Sequence, residues 1–240
     1  MKLNRILAAL FFLILAVLPL SAGATGRHSK YPPSDKCSGS GYSRLDSTVY
    51  TICFDSSSRI PKWVSWNTNK NDYGKAPRVD NFHHDDRLPV AQASDRDYLR
   101  SGFDRGHVVP SAERTSSAAA NFETFSYLNM MPQTHSLNAG PWYRLEHEIK
   151  MFVNEKSGNE VYVSAGPIFK INSRRIGDGV VIPDFTWKGV VFMNAGKIVR
   201  TSFVVMPQDA SIKQPWKLYE VKREKLESTI GFKLFSGLLP

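Results

Sequence analysis

Between Asn138 and Glu155 the apolar residues return with the period of a helix: Trp142, Leu145, Ile149 and Phe152 fall at i, i+3, i+7 and i+10. This is the clearest helical stripe in the chain, and segments of strand composition bracket it. Thr48–Phe54 and Lys62–Trp66 flank the turn-like run Asp55–Pro61 and read as a hairpin. Glu160–Ala165, Thr186–Met193 and Ile198–Met206 read as further strands, the last two joined by a turn at Asn194–Lys197. Ser117–Phe125 predicts a short helix, and Leu218–Ile230 a closing helix ended by Gly231. Pro141 falls in the first turn of the main helix, where its missing N–H costs nothing. Asn67–Asp97 is polar, charged and Pro-containing, hence mostly loop. There is no internal repeat, low-complexity segment or linker. The pattern predicts one α+β domain with a central antiparallel β-sheet flanked by helices.

The first residues stand apart from that domain. Lys2 and Arg5 precede a 15-residue apolar run, Ile6–Leu20, and Ser21–Ala24 supplies small residues at the processing positions. The run is shorter than the roughly 18–20 residues that span a bilayer, so residues 1–24 predict a secretory signal cleaved after Ala24, with no membrane anchor left and a secreted or periplasmic product. Residues 25–44, rich in Gly, Ser, Lys and Pro, read as a leader, and 45–240 as the domain. Export bears on Cys37 and Cys53, 16 positions apart. In an oxidising compartment a disulfide is favoured over a thiol nucleophile or metal ligand, because neither lies in a Cys-x-x-Cys pair or beside a His.

Composition matters for partners. The 31 Lys+Arg against 22 Asp+Glu give a net charge of +9, of which the signal removes two. An excess of this size favours nucleic acid, acidic polysaccharide or a membrane surface without choosing among them. The choice comes from a local motif, Phe103-Asp104-Arg105-Gly106-His107-Val108-Val109-Pro110. The tetrad Asp-Arg-Gly-His is expected by chance in roughly one chain in a thousand of this length. Leu128-Asn129-Met130-Met131-Pro132-Gln133 and Asn138-Ala139-Gly140-Pro141-Trp142-Tyr143-Arg144-Leu145-Glu146 follow it.

Together these motifs resemble the DNA/RNA non-specific endonucleases, the ββα-metal nucleases that include secreted bacterial nucleases and mitochondrial endonuclease G. The resemblance runs from about Thr48 to the C-terminus, through Trp63–Trp66, Val161–Phe169, Ile182–Lys188 and Leu226–Phe235. It implies a ββα-metal catalytic core, hydrolysis of DNA and RNA to 5′-phosphorylated products, and a divalent cation such as Mg²⁺ or Mn²⁺.

The chemistry of the residues agrees. Phosphodiester hydrolysis needs a base, an electrophile at the phosphate and cations for the developing charge. His107 is the candidate base, since an imidazole with ordinary pKa near 6.5 is largely neutral at pH 7–8. Asn138 is the candidate direct metal ligand, because a hard cation accepts one amide oxygen beside several waters; the residues alone leave a helix N-cap role equally open. Glu146, eight positions on, lies about 12 Å along a regular helix, which suits a contact to the ion's water shell. Its alternative is an i,i+4 ion pair with Lys150. Arg105 reads as a phosphate contact and Asp104 as a buttress or a water-mediated metal contact. Asn129 matches a family position near metal and phosphate. Arg78 matches an upstream arginine that stabilises the transition state, with Arg87 as rival. His83-His84-Asp85-Asp86 reads as a solvated loop rather than a second metal site, and His135 and His147 as peripheral. The resemblance leaves the backbone partner and tautomer of His107 open. Two other classes share the charge: a non-catalytic polyanion-binding protein, and a nuclease toxin paired with an inhibitor protein.

Overall fold

The computed structural model describes residues 26–213 and 215–240, so the predicted export signal lies outside the described residues. Six strands form one antiparallel sheet: β1 (Tyr42–Asp46), β2 (Thr51–Asp55), β3 (Ile60–Asn69), β6 (Asn159–Ile168), β9 (Phe185–Asn194) and β10 (Lys197–Pro207), side by side in that order. A second, two-stranded sheet pairs β4 (Asp104–His107) with β5 (Met130–Gln133), and β7 (Arg175–Ile176) with β8 (Val180–Val181) makes a minimal hairpin. The helices are α1 (Ala118–Glu123), α2 (Tyr143–Glu155) and α3 (Arg223–Ile230), with single helical turns between elements.

The long central strands are buried along most of their length because both sheet faces are covered. Successive side chains alternate sides. Val64, Val161, Val163, Val190 and Phe192 join Leu145, Ile149 and Val153 of α2 on one face. Trp63, Tyr162, Val191 and Met193 join Leu226, Leu234 and Phe235 from the C-terminal region on the other. The predicted stripe of α2 is thus the surface that seats it on the sheet. The turn between β9 and β10 places Ala195 (φ 47°) and Gly196 (φ 78°) in the left-handed region, the geometry that a two-residue hairpin requires.

Cys37 and Cys53 form the expected disulfide, tying the approach to β1 onto buried β2. In the chain-entropy view, closing a loop of this size is worth about 3 kcal/mol. The described part of the segment read from composition as a leader, residues 26–44, packs against the domain over much of its length. Ser34 N–H donates to Lys233 O (2.8 Å) and Ser236 N–H to Pro32 O (3.0 Å). His28 is 1% exposed, its Nδ1 accepting from Asn67 N–H and its Nε2 facing Thr48 O (2.9 Å).

Two helix boundaries differ from the sequence reading. The closing helix begins at Arg223 rather than Leu218, because Val221 N–H donates to Phe203 O (2.8 Å) and Glu220 bridges to Val204, which holds this stretch against β10. The main helix is regular only from Tyr143. Asn138–Trp142 is a wider turn broken at Gly140 (φ −103°, ψ −118°), directly before Pro141.

Candidate active site

Strands β4 and β5 and helix α2 meet in one ββα unit against the main sheet. Gly106 is opposite Met131, and a Cβ there would lie 2.2 Å from Gln133 Oε1 and 2.6 Å from its Cδ. Glycine therefore lets the Gln133 side chain cross β4. The period of two puts Arg105 and His107 on the same side of the strand. Trp142 Nε1–H donates to His107 O (3.3 Å), tying the start of α2 to the end of β4.

These elements bring Arg78, Arg105, His107, Asn138 and Glu146 to the wall of a single cleft of about 450 Å³. Phe125 (ring centroid at 4.9 Å) and Phe82 (5.7 Å) pack around the His107 ring, and its Nε2 is buried with no hydrogen-bond partner among the described residues. Burial, then the charges of Arg78 and Arg105, push the His107 pKa down to about 3. The imidazole is consequently neutral, with a free lone pair, across the physiological range.

Asn138 is not a helix N-cap. Its own backbone is helical (φ −60°, ψ −52°), and Thr134 caps the turn before it by accepting from Leu137 N–H. Asn138 Nδ2 donates to Asp104 Oδ2 (2.9 Å), which fixes the amide and leaves Oδ1 as the atom free for another partner. Asp104 Oδ2 also meets His135 Nδ1 (2.9 Å), so His135, dismissed as peripheral, helps hold the carboxylate that holds Asn138.

Glu146 makes no pair with Lys150. Its Oε1 lies 3.0 Å from Nζ of Lys188, a wholly buried lysine whose ammonium sits 3.8 Å from the Trp142 ring centroid. Burial raises the Glu146 pKa, and Lys188 opposes that shift. Lys188 escaped the sequence reading, although a lone charge inside the apolar run Phe185–Asn194 must find a partner when buried.

Arg78 donates to Ser111 Oγ (2.6 Å) and lies over Phe125, whereas Arg87 is committed to Asp85 (2.7 and 2.9 Å) and Glu123 (3.3 Å) and does not line the cleft. Arg105 pairs with Asp95 and lies 4.0 Å from the Phe82 ring centroid.

Asn129, expected near metal and phosphate, is not among the residues that line the cleft. It is completely buried: Oδ1 accepts from Val109 N–H, and Nδ2 donates to Val109 O and Thr124 O, each at 2.9 Å. With all its hydrogen bonds spent on backbone, it shapes the turn that follows His107. The run His83–Asp86 is not a solvated loop throughout. His83 stacks on Phe122, His84 Nε2 faces Ala93 O, and buried Asp85 binds Arg87. Among the described residues no cluster of three His, Cys, Asp or Glu stands at metal-binding distance.

Residues 33–240 match the family model described as DNA/RNA non-specific endonuclease. A nuclease of a Nostoc species is 34% identical over 80% of this chain and 72% of its own length. Bovine mitochondrial endonuclease G is 28% identical, with 83% and 71% covered. The zebrafish mitochondrial nuclease EXOG is 28% identical over 80% of this chain but 60% of its own length, so the chain spans about three fifths of that relative. Among solved structures, one described as an EndoG/EndoGI complex superposes with a TM-score of 0.72 at 26% identity, covering 82% of this chain and 86% of that one.

Proposed function

This chain belongs to the DNA/RNA non-specific endonuclease family, and from that membership and the geometry of the cleft we propose an exported, magnesium-dependent endonuclease that cuts DNA and RNA to 5′-phosphorylated ends. The carrying observation is the meeting of Arg78, Arg105, a neutral His107, Asn138 and Glu146 on one cleft.

The donor set fits a hard divalent cation. Asn138 offers its Oδ1, because Nδ2 is taken by Asp104, and Glu146 offers the carboxylate oxygen that Lys188 leaves free. Such an ion keeps most of its waters and needs few protein ligands. When bound there, such an ion would supply positive charge to offset the charge that develops on the phosphate and the departing oxygen.

The remaining chemistry is the protein's own. His107 accepts a proton from the attacking water as the new O–P bond forms and the P–O3′ bond breaks. The guanidinium forks of Arg78 and Arg105 hold the phosphate oxygens and neutralise the charge that grows on them. Contacts of this kind address the backbone and carry no base information, which is consistent with acting on either nucleic acid. The Cys37–Cys53 disulfide supports export, since such bonds persist in oxidising compartments. An inhibitor protein as partner draws its support from the solved neighbour, which is described as an inhibited complex.

Digestion of supercoiled plasmid and of RNA, with and without EDTA, tests the assignment. His107→Ala is expected to lose about 10²–10⁴-fold in rate, the usual share of a positioned base. Undiminished cleavage by that variant removes His107 from its role, and salt-sensitive binding without cleavage by the native protein favours a polyanion-binding function instead.

A further inference from the structure

A second cleft, of about 570 Å³, adjoins the catalytic one and shares Arg78 and Arg105 with it as a common wall. Its size is that of a site for a small organic group, and its character differs from its neighbour's. The carboxylates that line it are already engaged: Asp80 by Arg78 (3.3 Å), Asp95 by Arg105 and by the Tyr127 hydroxyl (2.7 Å), and Asp104 by His135 and Asn138. Three arginines, Arg78, Arg100 and Arg105, therefore face three aspartates, and away from the shared Arg78–Arg105 wall the cleft offers no cluster of free positive charge.

What it does offer is apolar surface and one unpaired arginine. Leu99 is 72% exposed at its edge. Tyr98 is only 7% exposed, and its hydroxyl has no hydrogen-bond partner among the described residues. Arg100 makes no ion pair among the described residues, and it sits in the turn that follows Tyr98, with its backbone in the left-handed region (φ 55°).

Resting on the nuclease reading of the neighbouring cleft, we propose that this second cleft seats the nucleoside next to the scissile phosphate, with Leu99 and Arg100 packing on the base face. The phosphate then lies on the Arg78–Arg105 wall, one covalent linkage away. Every base has an apolar face, so a platform of this type adds affinity without sequence preference. It makes the enzyme's preferred substrate a strand whose base is free to leave its stack.

Steady-state cleavage of a single-stranded oligonucleotide is compared with that of the same strand lacking the base beside the cut, and with methyl 4-nitrophenyl phosphate, which has no nucleoside. Leu99→Ala/Arg100→Ala is expected to raise KM for the intact strand about 5- to 100-fold, the range of one lost stacking contact. Its activity on the simple diester and its melting midpoint stay at the native values. Leu99→Trp, with a larger platform, is expected to lower KM. An unchanged KM in the double variant overturns the subsite. So does an equal rise for the intact and base-free strands, which would mark a phosphate contact, or a parallel loss on the simple diester, which would mark support of the catalytic geometry. If the native protein cleaves none of the three substrates, the nuclease reading itself fails.

Discussion

Replacing Lys188 by Met keeps the aliphatic stem but removes the ammonium between α2 and β9. In the native protein that ammonium is completely buried, 3.0 Å from Glu146 Oε1 and 3.8 Å from the Trp142 ring centroid. The Glu146 side chain is 14% exposed, so its carboxylate has little water to turn to. Breaking one side of a buried pair typically costs about 3–5 kcal/mol, much of it the penalty of the charge left behind. The desolvated cation–π contact adds up to about 2 kcal/mol in favourable cases; the two losses share one ammonium and are not summed. Urea unfolding of the oxidised protein at pH 7.5, followed by far-UV circular dichroism, should show about 3–5 kcal/mol of destabilisation in Lys188→Met. The pair hypothesis makes a sharper statement about the double variant. Lys188→Met/Glu146→Gln removes both charges and should recover at least half of the loss, with little sensitivity to salt because the pair is not screened. A double variant as unstable as the two single losses added together would show that the residues act independently and refute the argument.

Three further outcomes follow from named contacts. Because burial and two arginines lower the His107 pKa to about 3, the acid limb of kcat/KM should lie well below pH 6.5; an imidazole that titrates near 6.5 by NMR in EDTA contradicts this. His28 is lowered to about 2, chiefly by burial, so both histidines bind protons more readily when unfolded. Stability is therefore full above pH 6.5 and falls as the pH drops towards 3; His28→Gln should flatten that slope in denaturant midpoints measured between pH 4 and 7. Gly106→Ala drives a Cβ into Gln133 and should destabilise by about 1–3 kcal/mol, the usual range for overpacking. It should also lower kcat by shifting His107, and Gln133→Ala in the same chain should restore both; a lasting defect in the double variant points to the backbone instead.

The parts of the molecule legible in the sequence were those governed by local periodicity. The stripe Trp142, Leu145, Ile149 set the buried face of α2, and apolar runs set β6, β9 and β10. Runs of apolar residues on both sides of a strand are themselves a message that both sheet faces are covered. The short pair β4–β5 was less visible as structure, since four residues give no period, and it was found only because its chemistry-bearing residues are distinctive. What the sequence could not supply were pairings between distant segments. Asn129 reads as a substrate contact in a linear motif, yet its amide bonds the backbone of Val109 and Thr124. Arg78 and Arg87 are equal candidates until the fold shows Arg87 clasped by Asp85 and Glu123.

The charge of the chain makes the same point about scale. An excess of positive residues biases the protein towards anions at long range, where solvent and salt screen each charge. Near the reacting atoms the count is almost balanced. Arg105 is held by Asp95, Arg78 by Asp80, and Lys188 by Glu146. Paired in this way, the arginines stand in place before substrate arrives, so less side-chain entropy is lost on binding a phosphate. Burial first, and then the charges of Arg78 and Arg105, keep His107 neutral. Net charge therefore describes the chain at long range, whereas within the cleft each cation is set against a carboxylate.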